Sequence, residues 1–273
     1  MDAELSLRKF LGLDKRTSAD GKPGQGGKPT PRVVAATGPR RCKLPPGTLL
    51  SKLPTTHQAL DWLRGQGFDP KVIFDRWGPY YADHNAAVDP LFTDARVVVP
   101  IHSIELGPIG EKVACLAGWE AMSIAGKDRW MGRASEPVCS KDVGKGSLLY
   151  GLHHAMGTRG PVVVVQKITD AWRVGSSVVA FRLQRISHIQ TYLLVRNLRN
   201  RPLVVLLDSE WDSAKVADTI RSFRQRECDP APVVEAHLPG NCATLAGCTT
   251  EQARQAVRTA LKGMAAGGKG SDC

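Results

Sequence analysis

The second half of the chain repeats one pattern. Short, almost wholly apolar runs alternate with longer stretches whose apolar residues recur at helical spacing. The runs are "PVVVVQ", "SVVAF", "RPLVVLLD" and "APVVEAHL". The stretches that follow them are "TDAWRVG", "SHIQTYLLVRNL", "DSAKVADTIRSFRQRE" and "EQARQAVRTALKGM". Strands apolar on both faces, joined by helical crossovers, predict an α/β fold with a parallel sheet covered on both sides by flanking helices. Thr249 and Gln252 have capping-box spacing ahead of the last helix. In such sheets the working residues collect at the carboxyl ends of the strands. Gln166 with Asp170, and Asp208 with Glu210 and Asp212, fall there.

The first half reads differently. "THQALDWLRGQGFDPKVIFDRWG" predicts two helices broken between residues 65 and 70. Thr56 is the expected cap of the first, and Asp69-Pro70 starts the second. "DARVVVPIHS" and "KVACLAGWEAMSI" predict an antiparallel strand pair turning through "IELGPIGE". "SLLYGLHHAM" (147–156) predicts a helix. Residues 14–48 are rich in Gly, Pro, Lys and Arg and have too little apolar surface to order themselves. The expected division is a flexible basic arm over 1–48, a mixed α/β subdomain over 49–158, a parallel-sheet domain over 159–265 and a disordered tail over 266–273.

Composition narrows the class. A net charge of +11 and a pI near 9.5 fit a polyanionic partner. The seven cysteines are scattered, odd in number and without a CxxC pair, which argues against a disulfide framework and a zinc ribbon. They read as reduced thiols of a cytoplasmic protein. No apolar run approaches bilayer-spanning length, and the N-terminus does not read as a secretory signal. No membrane partner is expected.

Six segments, in order, resemble the catalytic core of bacterial and phage DnaG-type primases with their Toprim domain. "LPTTHQALDWLRGQGFDP" is similar to the family's opening. "ARVVVPIHS…LAGWEAMS" resembles the strand pair that begins its core, and "KDRWMGRASEPVCSKDVGKGSLLYGLHHA" the stretch that follows. "VVVVQKITDAWRVG" stands in the place of the motif "EGxxDA", "LVVLLDSEWDSAKVA" in that of "DxDxAG", and "HLPGNCATLAG" in that of "LP.GKDPADL". Neither a zinc-binding module before the core nor a helicase domain after it is read in the chain.

The resemblance implies a Toprim-type sheet plus an N-terminal primase-core subdomain. It implies a role in DNA replication of a phage, plasmid or other mobile element. Its expected partners are single-stranded DNA, nucleoside triphosphates if the site is active, and a helicase or other replication protein. It also implies Mg²⁺ or Mn²⁺ held by paired acids, here Asp208 with Glu210 or Asp212, clamping nucleotide phosphates. The motif glutamate, which serves acid/base chemistry in the family, is Gln166 here. An amide keeps the shape but cannot take a proton, and a positioned base is typically worth ~10²–10⁴-fold. Lys167 replaces the motif glycine and is expected to crowd and partly neutralise the site. Cys242 falls near the place of a third acid and is a poor Mg²⁺ ligand. Any metal is therefore expected to be weakly held. Arg96, Arg129, Arg133 and Lys145 are expected to form a basic surface, and Trp130 to stack on a base.

Each signal has an ordinary structural reading too. Thr169 and Asp170 suit a helix cap, and Glu210 and Asp212 suit a solvated helix start. His153 and His154 read as structural. Three functions remain open from the sequence: an RNA-primer-synthesising nucleotidyltransferase, a degenerate primase core that binds nucleic acid or a replication partner, and a strand-cleaving Toprim chemistry. The last needs a tyrosine nucleophile, and none of Tyr80, Tyr81, Tyr150 and Tyr192 has a recognisable setting for one.

Overall fold

The computed structural model describes residues 42–83, 95–106, 112–124, 138–139 and 145–267. Among these, the first sheet is antiparallel throughout. Its strands β1 (Thr48–Leu49), β2 (Tyr80–Ala82), β3 (Arg96–Leu106), β4 (Lys112–Ser123) and β5 (Val138–Cys139) lie in sequence order. The expected β3–β4 pair is present, running from Arg96 opposite Ser123 to Leu106 opposite Lys112, with a bulge at Ile101/His102.

Two helices, α1 (Gln58–Gly65) and α2 (Pro70–Trp77), pack near this sheet. The cap of α1 is His57, one residue after the expected Thr56; its Nδ1 accepts from the Ala59 N–H at 3.2 Å. The start of α2 is as read: Asp69 accepts from the Lys71 N–H at 2.9 Å, and Pro70 fills the first turn, where its missing N–H costs nothing.

The second sheet is parallel throughout, with β6 (Val162–Val165), β7 (Val178–Ala180), β8 (Leu203–Leu206) and β9 (Val233–Ala236) in the order β7-β6-β8-β9. The helices around it are α3 (Leu152–Met156), α4 (Ile168–Val174), α5 (His188–Asn197), α6 (Ser213–Arg226) and α7 (Thr250–Gly267). The period of two in the strands sorts their side chains into two cores. Val163, Val165, Val204 and Leu206 join a cluster that runs through Ala171 and Ala253 to Leu63, Trp77, Val97 and Val99. Val162, Val164, Leu203 and Val205 face the other way, onto Leu194, Ala217 and Ile220. Burial of a valine or leucine side chain is worth about 1.5–3 kcal/mol, so a valine run loses nothing by being apolar on both faces.

Three expectations change. The helix expected over 147–156 is only Leu152–Met156, because Gly151 is left-handed (φ 79°) and Tyr150 bridges to Ala180 instead. Only glycine suits this position: a Cβ at 151 would stand 2.6 Å from the Val178 carbonyl oxygen. Cys42, read as part of the flexible arm, is buried against Tyr80, Val98 and Trp119, and Thr48 already pairs with β2. The arm cannot bury itself, but its end finds apolar surface on the sheet. Arg96, expected on a basic surface, is only 3% exposed. Residues 1–41 and 268–273, most of the arm and of the expected tail, lie outside the described residues. Among the described residues, no helix is long and apolar enough to cross a membrane.

Candidate functional site

Parallel pairing places the carboxyl ends of β6, β7 and β8 side by side, with Val164 opposite both Val179 and Val205. The chain leaves β6 through Gln166-Lys167, β7 through Phe181-Arg182, and β8 through Leu207-Asp208. Gln166, Lys167 and Arg182 from the first two exits line a cleft of about 780 Å³, together with Glu120 and Met122 of β4, Ile168, Thr169, Leu183–Arg185 and Trp211. One wall is an ion pair between the sheets: Arg182 Nη1 lies 3.0 Å from Glu120 Oε2, and both side chains are buried. Burial makes such a pair a rigid element, since separating it would strand a charge away from water.

Gln166 is 6% exposed. Its Nε2 donates to the Leu183 carbonyl at 3.0 Å, while Oε1 has no partner among the described residues. Asp170 sits in the first turn of α4, where its Oδ2 accepts from the Lys167 N–H at 3.0 Å. Its capping role is therefore real. Burial, then the nearby charge of Asp208, pushes the Asp170 carboxyl up to about 7.

Asp208 is 2% exposed and has both oxygens occupied. Oδ1 accepts from the Leu245 N–H at 2.6 Å, and Oδ2 lies 2.7 Å from Lys167 Nζ. Burial alone would pull the Lys167 ammonium down. The hydrogen bond to Asp208 and the charges of Asp208, Asp170 and Glu210 outweigh burial and hold it above its ordinary value. The crowding expected of Lys167 is thus a direct ion pair across neighbouring strand ends.

The other expected acids stand apart. Glu210 is exposed, and Asp212 caps α6 by accepting from the Lys215 N–H at 2.8 Å. Both line a separate cavity of about 530 Å³ with Arg185, His188 and Lys215. Among the described residues no group of three or more His, Cys, Asp or Glu is placed to hold a metal ion. Mg²⁺ demands near-octahedral oxygen ligation. The donors present here do not fit it: one acid is saturated by an ammonium and an amide, one caps a helix, one is exposed, and one is bonded to the backbone.

Of the expected nucleic-acid residues, Arg129, Trp130 and Arg133 lie outside the described residues, and Lys145 opens a short 3-10 turn, Lys145–Ser147. Sequence reasoning missed Arg182, Glu120 and Trp211. The signal for Arg182 was present, as the first charged residue after an apolar strand. Nothing local marks Glu120 as its partner, because the two are far apart in the chain.

A second titratable cluster joins β3 to α3. The rings of His102 and His153 are 4.5 Å apart, and those of His153 and His154 are 3.9 Å apart. Burial, then the neighbouring His154 and His102, lowers His153 to about 3; burial also lowers His102 and His154. These are packed neutral imidazoles.

No family model matches the sequence, and no curated protein matches it. Solved structures do resemble it in fold. A DnaG primase catalytic domain bound to ssDNA is 15% identical, with a TM-score of 0.57 over 80% of this chain and 74% of that one. A DNA primase domain from Pseudomonas aeruginosa is 16% identical, with a TM-score of 0.55 over 79% of this chain and 74% of that one. The Aquifex aeolicus primase, spanning its zinc-binding and RNA polymerase domains, is 18% identical, with a TM-score of 0.54 over 79% of this chain and 57% of that one.

Proposed function

We propose, from a chain that has the fold of the DnaG primase catalytic core, a primase-like protein of DNA replication that binds single-stranded nucleic acid and does not make primers by itself. The observation that carries this reading is the pair Gln166-Lys167 at the head of the cleft. The proton-accepting position is an amide tied to Leu183, and the neighbouring lysine neutralises Asp208. The net charge of +11 supports a strand of phosphates as ligand. A phage, plasmid or mobile-element setting, and a helicase or other replication protein as partner, complete the proposal.

A second reading keeps the enzyme active, with Mg²⁺ or Mn²⁺ and nucleoside triphosphates. It is favoured by the retention of Asp170 and Asp208 at the strand ends where the resemblance puts them. One experiment separates the two. Purified protein is given single-stranded oligonucleotides, labelled ribonucleotides and either Mg²⁺ or Mn²⁺, and strand binding is followed by fluorescence anisotropy in the same buffer. Binding without RNA product supports the proposal. Efficient RNA synthesis that survives Gln166→Ala favours the second reading, and absence of binding at low salt refutes both.

A further inference from the structure

We infer that Lys167 is a built-in substitute for a divalent ion: its ammonium fills the place between the ends of β6 and β8, and the site stays closed to metal while the lysine is there. The inference rests on the reading above only for the kind of ion displaced. Asp208, buried at the end of β8, is held from one side by the Leu245 amide at 2.6 Å and from the other by Lys167 Nζ at 2.7 Å. The lysine reaches it from the adjacent strand end, so its four-carbon stem spans the gap a bridging cation would span. The lysine side chain is 48% exposed while that of its partner is 1% exposed, so the acid depends on the lysine for its countercharge.

A buried carboxylate stripped of its cation is costly. Removing the ammonium therefore leaves Asp208 in need of another cation. Glycine at 167 is also what the resembled motif carries, and the backbone there is extended (φ −100°, ψ 156°), which glycine and alanine both adopt. With the ammonium gone, the charges that now act on Lys167, those of Asp208, Asp170 and Glu210, act on whatever replaces it.

The test is a Mn²⁺ titration of the EDTA-treated full chain, read from the electron paramagnetic resonance of free Mn²⁺. Wild type, Lys167→Gly, Lys167→Ala and Lys167→Gly/Asp208→Asn are compared, with circular dichroism confirming the fold of each. Wild type is expected to show no saturable binding at millimolar Mn²⁺. Lys167→Gly or Lys167→Ala is expected to tighten binding at least about tenfold, the scale on which groups beside a metal tune its affinity, and Asp208→Asn to abolish the gain. Wild-type binding equal to that of the variants overturns the inference, and so does a folded variant that gains nothing. If neither variant folds, the melting temperature of wild type decides: insensitivity to Mn²⁺ supports the inference, and a rise with Mn²⁺ overturns it. Strand binding, read on the same wild-type sample, tests the proposed function separately, because its loss leaves the metal result standing.

Discussion

Replacing Asp170 with asparagine should stabilise the protein above neutral pH and do little below pH 5. The carboxyl is 2% exposed, and its pKa is pushed from 3.8 up to about 7 by burial first and by Asp208 second. In the unfolded chain it ionises normally. Between about pH 4 and pH 7 the native state therefore holds a proton that the unfolded state has lost, and native stability falls as pH rises through that window. At about 1.4 kcal/mol per pH unit of displacement, ionising this group in place costs about 4 kcal/mol once pH exceeds 7. Asparagine keeps the acceptor for the Lys167 N–H and has no charge to desolvate. Its extra buried amide donor gives back about 1 kcal/mol. The net gain is about 3 kcal/mol at pH 8, or roughly 6–12 °C in melting temperature for a chain of this size. The histidines His102, His153 and His154 have the opposite slope: held below their ordinary value, they cost stability as pH falls below 6.5. They are common to both proteins and cancel in the difference. Thermal melts of wild type and Asp170→Asn from pH 5 to pH 8.5 measure it. Curves that stay parallel across that range would refute the reasoning.

Arg224 donates to the carbonyls of Ala231, Pro232 and Arg201 and pairs with buried Asp229; Arg224→Met should cost about 3–5 kcal/mol in urea denaturation, because Asp229 is left without its cation. Gly151→Ala should lower stability by more than about 1 kcal/mol, since it forces an alanine to φ 79° beside the Val178 carbonyl; melting temperature reads this directly. Single-strand affinity should fall with salt at a slope of about −0.7 in log K for each phosphate neutralised, and a flat response in anisotropy titrations would exclude phosphate contacts as the source of binding.

The parallel sheet was legible because its strands are bounded apolar runs and its helices carry their own caps. Ser187 accepts from the Gln190 N–H, and Thr249 and Gln252 form the expected reciprocal box. The helix over 147–156 was misread because Leu, Tyr and His at that spacing imitate an amphipathic helix. A left-handed glycine and a bridge to β7 override the local preference there. Arg96 was expected on a basic surface but is buried, opposite Ala82 and Ser123 in the sheet, and neither neighbour is adjacent to it in the chain. At the site, the amide at 166 and the crowding lysine at 167 could be read from the motif alone. The atoms that Lys167 and Arg182 reach could not, because each partner comes from a distant stretch of chain.

The Lys167–Asp208 contact also bears on how the chain finds its alignment while folding. In a strand of four valines the hydrophobic pattern itself does not distinguish one register from the next, since a one-residue slip exchanges two faces that carry the same side chains. A slip of one residue between β6 and β8 would move the lysine about 3.3 Å along the sheet. That carries its ammonium out of reach of a carboxylate now 2.7 Å away and leaves a buried charge alone. The pair thereby serves as a proofreading mark at the end of an otherwise featureless strand, admitting one alignment and penalising its neighbours.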